Sequence, residues 1–96
     1  MLKVSSVPSF DRAAKKLHAK DKKTLDDAVR AVAGDPSLGE EKKGDLANVF
    51  VYKFKINKQE VLLAYFLRPD KYKPNEIVLM ALGSHENFYV DLKRSL

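Results

Sequence analysis

Four side chains in the second half of the 96-residue sequence are of types that can act on an RNA phosphodiester. Lys53 and Lys55 stand two residues apart in an alternating segment, so a β-strand would project both from one face, about 6 to 7 Å apart. That separation suits neighbouring phosphate oxygens, and we predict that the two ammonium groups act as an electrostatic clamp. His85 and Tyr89 stand four residues apart, so a helix would present the imidazole and the phenol on one face.

Scission of RNA without a metal needs three kinds of group. A base must take the proton of the 2′-hydroxyl, cations must balance the charge on the phosphorane, and an acid must protonate the leaving 5′-oxygen. We predict that His85 transfers the proton, because an imidazole can act as base or acid near neutral pH. Tyr89 would stack on an unpaired base or hydrogen-bond the phosphate, since single-stranded RNA is commonly read by aromatic stacking.

Each of these four residues also has a structural explanation. Lys53 and Lys55 could be solvated lysines that protect an edge strand from association. Tyr89 could be a core aromatic that packs the last helix on the sheet, and His85 could be an ordinary residue at a helix start. The sequence leaves these alternatives open.

A basic loop, residues 68–75, follows the second strand of a predicted β-hairpin. It contains two prolines, and it carries Arg68, Lys71 and Lys73 with Tyr72 among them. We predict that the three cations assist RNA binding, although simple solvation would explain them equally well.

The charge balance favours a polyanionic partner. The sequence has 18 Lys and Arg residues against 13 Asp and Glu residues, a net charge of +5, and an isoelectric point near 9.5. RNA, DNA and an acidic protein all fit this balance. A chain of this length is expected to form one domain over residues 1–96, and without cysteine it has neither disulfides nor a thiolate metal site.

Several classes of protein are disfavoured by patterns that the sequence lacks. The longest apolar run, Val61 to Leu67, is far shorter than the roughly 20 residues of a membrane helix. Nothing after Met1 resembles a cleavable signal, so we expect a soluble, cytoplasmic protein without a membrane partner. The sequence has no glycine-rich phosphate loop, metal-ligand spacing or nucleophile elbow, and it therefore predicts neither a metal nor a cofactor.

The first half of the chain predicts a strand and two helices. A short strand is expected over Leu2–Val7, and Ser9 is a plausible N-cap for the first helix. A second helix carries apolar residues at helical spacing from Leu25 onward, after a polar break at Lys20–Lys23, and ends at Gly34. The two helices predict a hairpin.

The second half predicts three strands and a last helix. Residues 34–48 have no apolar period and predict a loop. Val49–Ile56 alternates, Glu60–Leu67 is apolar on both faces and should lie inside the sheet, and Glu76–Leu82 is the third strand. Ser84 would cap the C-terminal helix. The order predicts an α+β fold, β-α-α-β-β-β-α, in which a small, mostly antiparallel sheet carries the helical hairpin on one face and ends in a C-terminal helix.

The sequence resembles the RelE/ParE superfamily of bacterial toxins from type II toxin–antitoxin modules, and in particular its RelE branch. The resemblance covers nearly the whole chain, and its specific parts are Val51–Ile56, Ala81–Gly83 and Tyr89–Arg94. It implies the β-α-α-β-β-β-α fold and a ribosome-dependent endoribonuclease that cuts mRNA in the ribosomal A site without a metal or organic cofactor. It also implies neutralisation by a cognate acidic antitoxin in a hetero-oligomeric complex.

The resemblance assigns roles to individual residues. The paired lysines that contact the scissile phosphate in the RelE branch correspond to Lys53 and Lys55, and the tyrosine of the C-terminal segment corresponds to Tyr89. The arginine just after the glycine of the last strand is not retained, and His85 stands closest to it, as in YafQ-like members. A second arginine, on the middle strand, appears here as Leu62.

Two other functions are compatible with the same residues. Some gyrase-directed ParE members also have a histidine near the end of the last strand, so a non-catalytic inhibitor of DNA gyrase is the alternative to an mRNA interferase. A basic scaffold whose activity has decayed is the third hypothesis, because Leu62 stands where the resemblance places an arginine.

Overall fold

The computed structural model describes residues 2–84 and 88–94, apart from the side chains of Asp45, Asp91 and Arg94. Two short 3₁₀ turns, Pro36–Leu38 and Gly44–Leu46, accompany the helices and strands. The helices and strands are, in chain order, β1 Lys3–Ser6, α1 Pro8–Lys15, α2 Ala19–Gly34, β2 Glu40–Glu41, β3 Val49–Ile56, β4 Gln59–Arg68, β5 Glu76–Gly83 and α3 Phe88–Arg94. The predicted α+β order is confirmed, and β2 is an additional strand.

The five strands form one sheet in the order β1-β5-β4-β3-β2. β1 and β5 are parallel, and the other three pairings are antiparallel, in agreement with the predicted mostly antiparallel sheet. The central strand is β4, where the run from Leu62 to Tyr65 is fully buried. A strand that is apolar on both faces needs cover on both sides, and β4 has it.

The helical hairpin of α1 and α2 covers one face of the sheet. Phe10 of α1 and Leu25 and Val32 of α2 are buried against sheet residues that include Phe50 and Ile77. These positions follow the helical spacing in the sequence, so the apolar stripe of each helix is the face that packs. No helix among the described residues is long and apolar enough to cross a membrane.

The starts of both helices differ from the prediction. α1 begins at Pro8, a residue suited to the first helical turn, and Ser9 lies inside the helix, where its hydroxyl donates to the Met80 carbonyl oxygen at 3.1 Å. α2 begins at Ala19 and includes Lys20–Lys23, the predicted polar break. Lysines are good helix formers, and a polar stretch on the solvent side of a helix does not end it.

The short helix α3 covers part of the opposite face. Its Phe88 and Leu92 are buried against a second cluster that includes Val51, Leu62 and Ala64. β5 ends at Gly83, and the described part of α3 begins at Phe88. The predicted cap at Ser84 involves residues 85–87, which lie outside the described residues, and it stays a prediction.

A buried tyrosine fixes the segment that was predicted to be a loop. The Tyr65 hydroxyl accepts a hydrogen bond from the Gly39 N–H at 3.0 Å and donates one to the Pro36 carbonyl oxygen at 2.6 Å. Position 39 requires glycine, because a Cβ there would lie 2.4 Å from the Tyr65 hydroxyl oxygen. The next residues, Glu40–Glu41, form β2 and pair with β3. A two-residue strand of charged residues shows no apolar alternation, so the sequence pattern could not reveal it.

Candidate functional site

Lys53 and Lys55 lie on β3, on the side of the sheet that α3 partly covers. Alternation along the strand places them on the same side as Val49 and Val51, which belong to the core beneath α3. Both lysines are exposed. From Tyr52 onward the outer edge of β3 extends past β2, so these two positions also fit the edge-protection alternative.

The end of β5 lies in the same row of the sheet as Lys53. Lys53 pairs with Leu62 of β4, and Leu62 pairs with Gly83 of β5. Two strand spacings, about 10 Å, therefore separate the backbones of Lys53 and Gly83. The chain leaves the sheet in this row, two residues before His85, which itself lies outside the described residues.

Tyr89 of α3 lies on the same side of the sheet and is half-buried. Its ring meets the Phe88 ring edge to face, with the centroids 5.3 Å apart. The ammonium group of Lys42 lies 5.4 Å from the Tyr89 ring centroid, within the range of a cation–π contact. Tyr89 therefore packs against the core and contacts a cation at its exposed side.

Lys42 is a site residue that the sequence analysis missed. It directly follows β2, and its backbone N–H donates to the Val49 carbonyl oxygen at 2.8 Å, which fixes it beside β3. The only signal in the sequence was its place in a charged stretch that predicted a loop. We call the group of Lys42, Lys53, Lys55 and Tyr89 the basic face.

The carboxylate of Glu40 lies between two cations of the basic face. It accepts a hydrogen bond from the Lys42 ammonium at 2.5 Å. That bond and the charge of Lys42, followed by the more distant charge of Lys53, hold the pKa of Glu40 below its usual value. The same bond raises the pKa of Lys42 against the opposing effect of burial, and the nearby Tyr89 phenol acts in the same direction. Lys42 is thus a permanent cation near neutral pH.

Arg68 lies on the same side of the sheet but far from Lys53. It stands six residues beyond Leu62, the partner of Lys53, at the end of β4. The rise of a β-strand makes this distance about 20 Å. Its guanidinium group lies over the Phe66 ring at 5.2 Å from the centroid, and Phe66 packs against the α3 side of the core.

The other two cations of the basic loop are also away from Lys53 and Lys55. The Lys71 ammonium forms an ion pair with Glu41 at 2.9 Å, and this hydrogen bond raises the pKa of Lys71. Lys73 is exposed, and its backbone N–H donates to the Asp70 carboxylate at 3.0 Å. The structure therefore brings Lys53, Lys55 and Tyr89 to one face and places the basic loop at the other end of the strands.

The position at which the resemblance places a middle-strand arginine is part of the core. Leu62 is fully buried beneath α3. Within the described residues, no group of three or more His, Cys, Asp or Glu side chains could hold a metal ion. What the basic face offers chemically is three ammonium groups for phosphate oxygens and one aromatic ring for a base.

Comparisons with known proteins agree with this fold. Residues 4–93 match the family model described as the ParE-like toxin of the type II bacterial toxin–antitoxin system. A mutant of the Escherichia coli toxin RelE in the free state is similar in structure, with a TM-score of 0.69, 17% identity, and 99% of this chain and 98% of that chain covered. A search of curated proteins found no match.

Two toxin–antitoxin complexes contain a similar chain. The RelBE2 complex of Mycobacterium tuberculosis gives a TM-score of 0.70 at 15% identity, over 88% of this chain and 98% of that chain. The intact RelBE complex of E. coli gives a TM-score of 0.67 at 15% identity, over 90% and 99%. Identities this low show a common fold and leave the chemistry to be argued from the residues.

Proposed function

Since the chain belongs to the ParE-like family of toxins from type II bacterial toxin–antitoxin systems, we propose that it is a ribosome-dependent endoribonuclease that cuts mRNA and inhibits translation. The observation that carries the proposal is the basic face. Three lysine cations and a tyrosine lie on one side of a rigid sheet, beside the point where the chain leaves β5 toward His85. This arrangement suits metal-independent scission of a phosphodiester.

The cations of the basic face are assigned to the phosphate. Lys53 and Lys55 would hold the oxygens of the scissile group, and Lys42 would supply a third positive charge. Cations fixed in advance stabilise the extra negative charge of the phosphorane without reorganising during the reaction. Lys42 would in this way take over the charge that is missing at Leu62, since both positions flank β3 on the same side of the sheet.

The remaining roles are assigned to His85 and Tyr89. We assign proton transfer to His85, because it follows Gly83 by two residues and Gly83 shares a row with Lys53. We assign orientation of the nucleotide to Tyr89, whose ring is held between Phe88 and the Lys42 ammonium. A ring held from two sides is a firm surface for base stacking.

A cognate acidic antitoxin is the proposed neutralising partner. The net charge of +5 and the exposed lysines on β3 favour an acidic segment. The similar RelE chains from E. coli, M. tuberculosis and Pyrococcus horikoshii were solved in complexes with RelB-type proteins. We therefore expect a hetero-oligomeric complex in which the antitoxin covers the basic face.

The first prediction concerns cleavage on translating ribosomes. Purified ribosomes stalled on a defined mRNA are mixed with the toxin, and the cut ends are mapped by primer extension. We expect A-site cleavage by the unmodified protein and a rate at least about tenfold lower for Lys53→Ala or Lys55→Ala, because each removes a cation that stabilises the developing dianion.

The matched control for these variants is Lys23→Ala. Lys23 is an exposed lysine on α2, on the other side of the sheet, and its loss should leave the rate unchanged. Edge protection alone would predict aggregation of Lys53→Ala with normal cleavage by the remaining monomer, which size-exclusion chromatography would separate. Full cleavage by both monomeric β3 variants would overturn the assignment.

Inhibition of DNA gyrase is the second candidate, because the matching family model is that of ParE-like toxins. The discriminating measurement is a supercoiling assay with purified gyrase. We expect no inhibition at micromolar toxin. Inhibition by the unmodified protein, together with intact mRNA on ribosomes, would replace the nuclease by the gyrase inhibitor.

A further inference from the structure

A second concave site lies at the end of β4, remote from Lys53 and Lys55. It is a pocket of about 630 Å³ between the start of β3 and the loop after β4. Asn48, Phe66, Arg68 and Tyr72 are among the residues that line it. The proposed cleavage step uses none of these four.

Two flat groups border this pocket. The guanidinium group of Arg68 lies over the Phe66 ring, with its central carbon 5.2 Å from the ring centroid. Tyr72 is 81% exposed. Aromatic rings and arginine planes are the groups on which proteins stack the unpaired bases of single-stranded RNA.

The loop that carries Tyr72 has a fixed shape. One carboxylate oxygen of Asp70 accepts hydrogen bonds from the backbone N–H groups of Tyr72 at 2.8 Å and Lys73 at 3.0 Å. These bonds lower the pKa of Asp70, so the turn holds at neutral pH. The ring of Tyr72 is thereby presented to solvent by an ordered turn, and a base would not have to order the turn.

The pocket lies on the same side of the sheet as the basic face. On the α3 side of the sheet, β3 carries Lys55 and Lys53. At the start of the strand, the Lys42 backbone N–H donates a hydrogen bond to the Val49 carbonyl oxygen. Val49 pairs with the residue two positions before Arg68 on β4. Lys53 and Lys55 therefore occupy one end of β3 and Lys42 lies at the other end, on the side of the pocket, with the buried Val49 and Val51 between them.

Among the residues that line the pocket, Arg68 is the cation that favours an anionic ligand. Lys71 is already paired with Glu41, and it lies 5.5 Å from the Tyr72 ring centroid. Asp70 lines the pocket, and its carboxylate is engaged by the two backbone donors. Glu76 is the cross-strand partner of Arg68, and its carboxylate accepts a hydrogen bond from the Ser5 hydroxyl at 2.7 Å. A neutral apolar ligand would leave the guanidinium group without an anionic partner.

We propose that this pocket is a second subsite for single-stranded RNA, in which Tyr72 and Arg68 hold a nucleotide of the strand that is cut at the basic face. The inference rests on the proposed nuclease function. The two sites are about 20 Å apart, which a stacked strand at 3.4 Å per nucleotide spans with roughly six nucleotides. A strand held at the basic face would therefore reach the subsite only when it is longer than about six nucleotides.

The test is a length series with purified toxin. Fluorescein-labelled 2′-O-methyl oligouridines of 3 and 12 nucleotides resist cleavage and report binding by fluorescence anisotropy at low salt. We expect Tyr72→Ala to weaken binding of the 12-mer by at least about fivefold and to leave the 3-mer unchanged, because stacking on an aromatic ring is lost. Tyr72→Phe keeps the ring and should bind both lengths as the unmodified protein does.

Two further variants separate the subsite from general attraction. Arg68→Gln should weaken the 12-mer selectively, whereas Lys23→Ala removes one charge from α2 and should not. Equal binding of the 12-mer by Tyr72→Ala and the unmodified protein would overturn the proposal, as would equal losses for Arg68→Gln and Lys23→Ala. Since Tyr72 is largely exposed, thermal unfolding should show that its variants are folded.

The result is independent of the cleavage assay. If Tyr72→Ala weakens binding of the 12-mer selectively but the unmodified protein cuts no mRNA, the proposal of an RNA subsite stands and the nuclease proposal is overturned. If the unmodified protein cuts mRNA on ribosomes but Tyr72→Ala binds RNA normally, the nuclease proposal stands and the proposal of a second subsite is overturned.

Discussion

The carboxylate of Glu40 occupies a place that suits a phosphate group. It accepts a hydrogen bond from Lys42 and is attracted by Lys53. Glu40 therefore already partly neutralises two of the cations that are assigned to RNA binding. Its side chain is 76% exposed, and a phosphate could displace it without opening the core. Glu40 should therefore compete with RNA for the basic face.

Removal of this carboxylate should strengthen RNA binding. We expect Glu40→Gln to bind a short 2′-O-methyl oligonucleotide up to about fivefold more tightly at low salt, since exposed ion pairs contribute little more than that. Asp26→Asn removes the same charge from an exposed position on α2 and is the control. Weaker binding by Glu40→Gln, or an equal gain in both variants, would show that Glu40 does not face the bound phosphate.

Tyr65 is the residue that positions Glu40 and Lys42. Tyr65→Phe leaves the buried Gly39 N–H without its acceptor and should lower the free energy of unfolding by roughly 1–3 kcal/mol. Urea denaturation measures this, with Tyr72→Phe, an exposed tyrosine, as the control. A variant as stable as the unmodified protein would mean that the 36–41 segment is held by other contacts.

The same residue gives a pH dependence. Burial raises the pKa of Tyr65 from 10.0 to about 12, so the folded state keeps the phenol neutral where the unfolded state ionises it. The resulting stabilisation is complete below pH 10 and is lost as the pH rises to 12. Tyr65→Phe should lack this part of the alkaline decline in stability.

At the residue scale, the sequence predicted two of the three lysines of the basic face and missed Lys42. Strict alternation in 49–56 placed Lys53 and Lys55 on one face, and the structure has them there. Glu40 and Lys42 could not be found in this way, because their position depends on a hydrogen bond between Tyr65 and Gly39, twenty-six residues apart.

At the scale of elements, the hairpin between β3 and β4 sets the register of the basic face. Its turn consists of Asn57 and Lys58, both with positive φ, at 53° and 70°. Such a turn suits the twist of the strands, but a lysine in the left-handed region is strained whereas asparagine and glycine tolerate it. The turn therefore holds the correct register at some cost in stability.

Glycine at the second turn position should relieve this cost. We expect Lys58→Gly to raise the free energy of unfolding by roughly 0.5–1 kcal/mol in urea denaturation. Lys58→Ala removes the same charge and keeps a Cβ, so it should give no such gain. A destabilised Lys58→Gly variant would contradict the turn geometry.

The elements themselves were predictable where the local pattern decides them. β3 has the predicted bounds, and β5 extends one residue further. The errors fall at helix starts: Lys20–Lys23, predicted as a polar break, belong to α2, and Ser9, predicted as an N-cap, lies inside α1. The polar stretch lies on the solvent side of α2, and Ser9 contacts Met80 of β5, which is far from it in the sequence.

At the scale of the molecule, the two faces of the sheet are covered unequally. The helical hairpin covers one face, whereas α3 has seven residues and leaves the lysines of β3 exposed on the other. Arg68 was predicted to assist RNA binding, but the antiparallel hairpin separates it from those lysines. The end of β4 lies beside the start of β3, so Arg68 stands two residues beyond Phe66, the partner of Val49, and far from Lys53.

The central claim is that the basic face cuts mRNA during translation, and the most direct test is sequencing of cellular RNA 5′ ends after induction. We expect new ends inside translated reading frames, in step with codons, for the unmodified toxin. The Lys53→Ala/Lys55→Ala variant, expressed at the same level, should not produce them. The same ends in both strains, or growth arrest with uncut transcripts, would contradict the account.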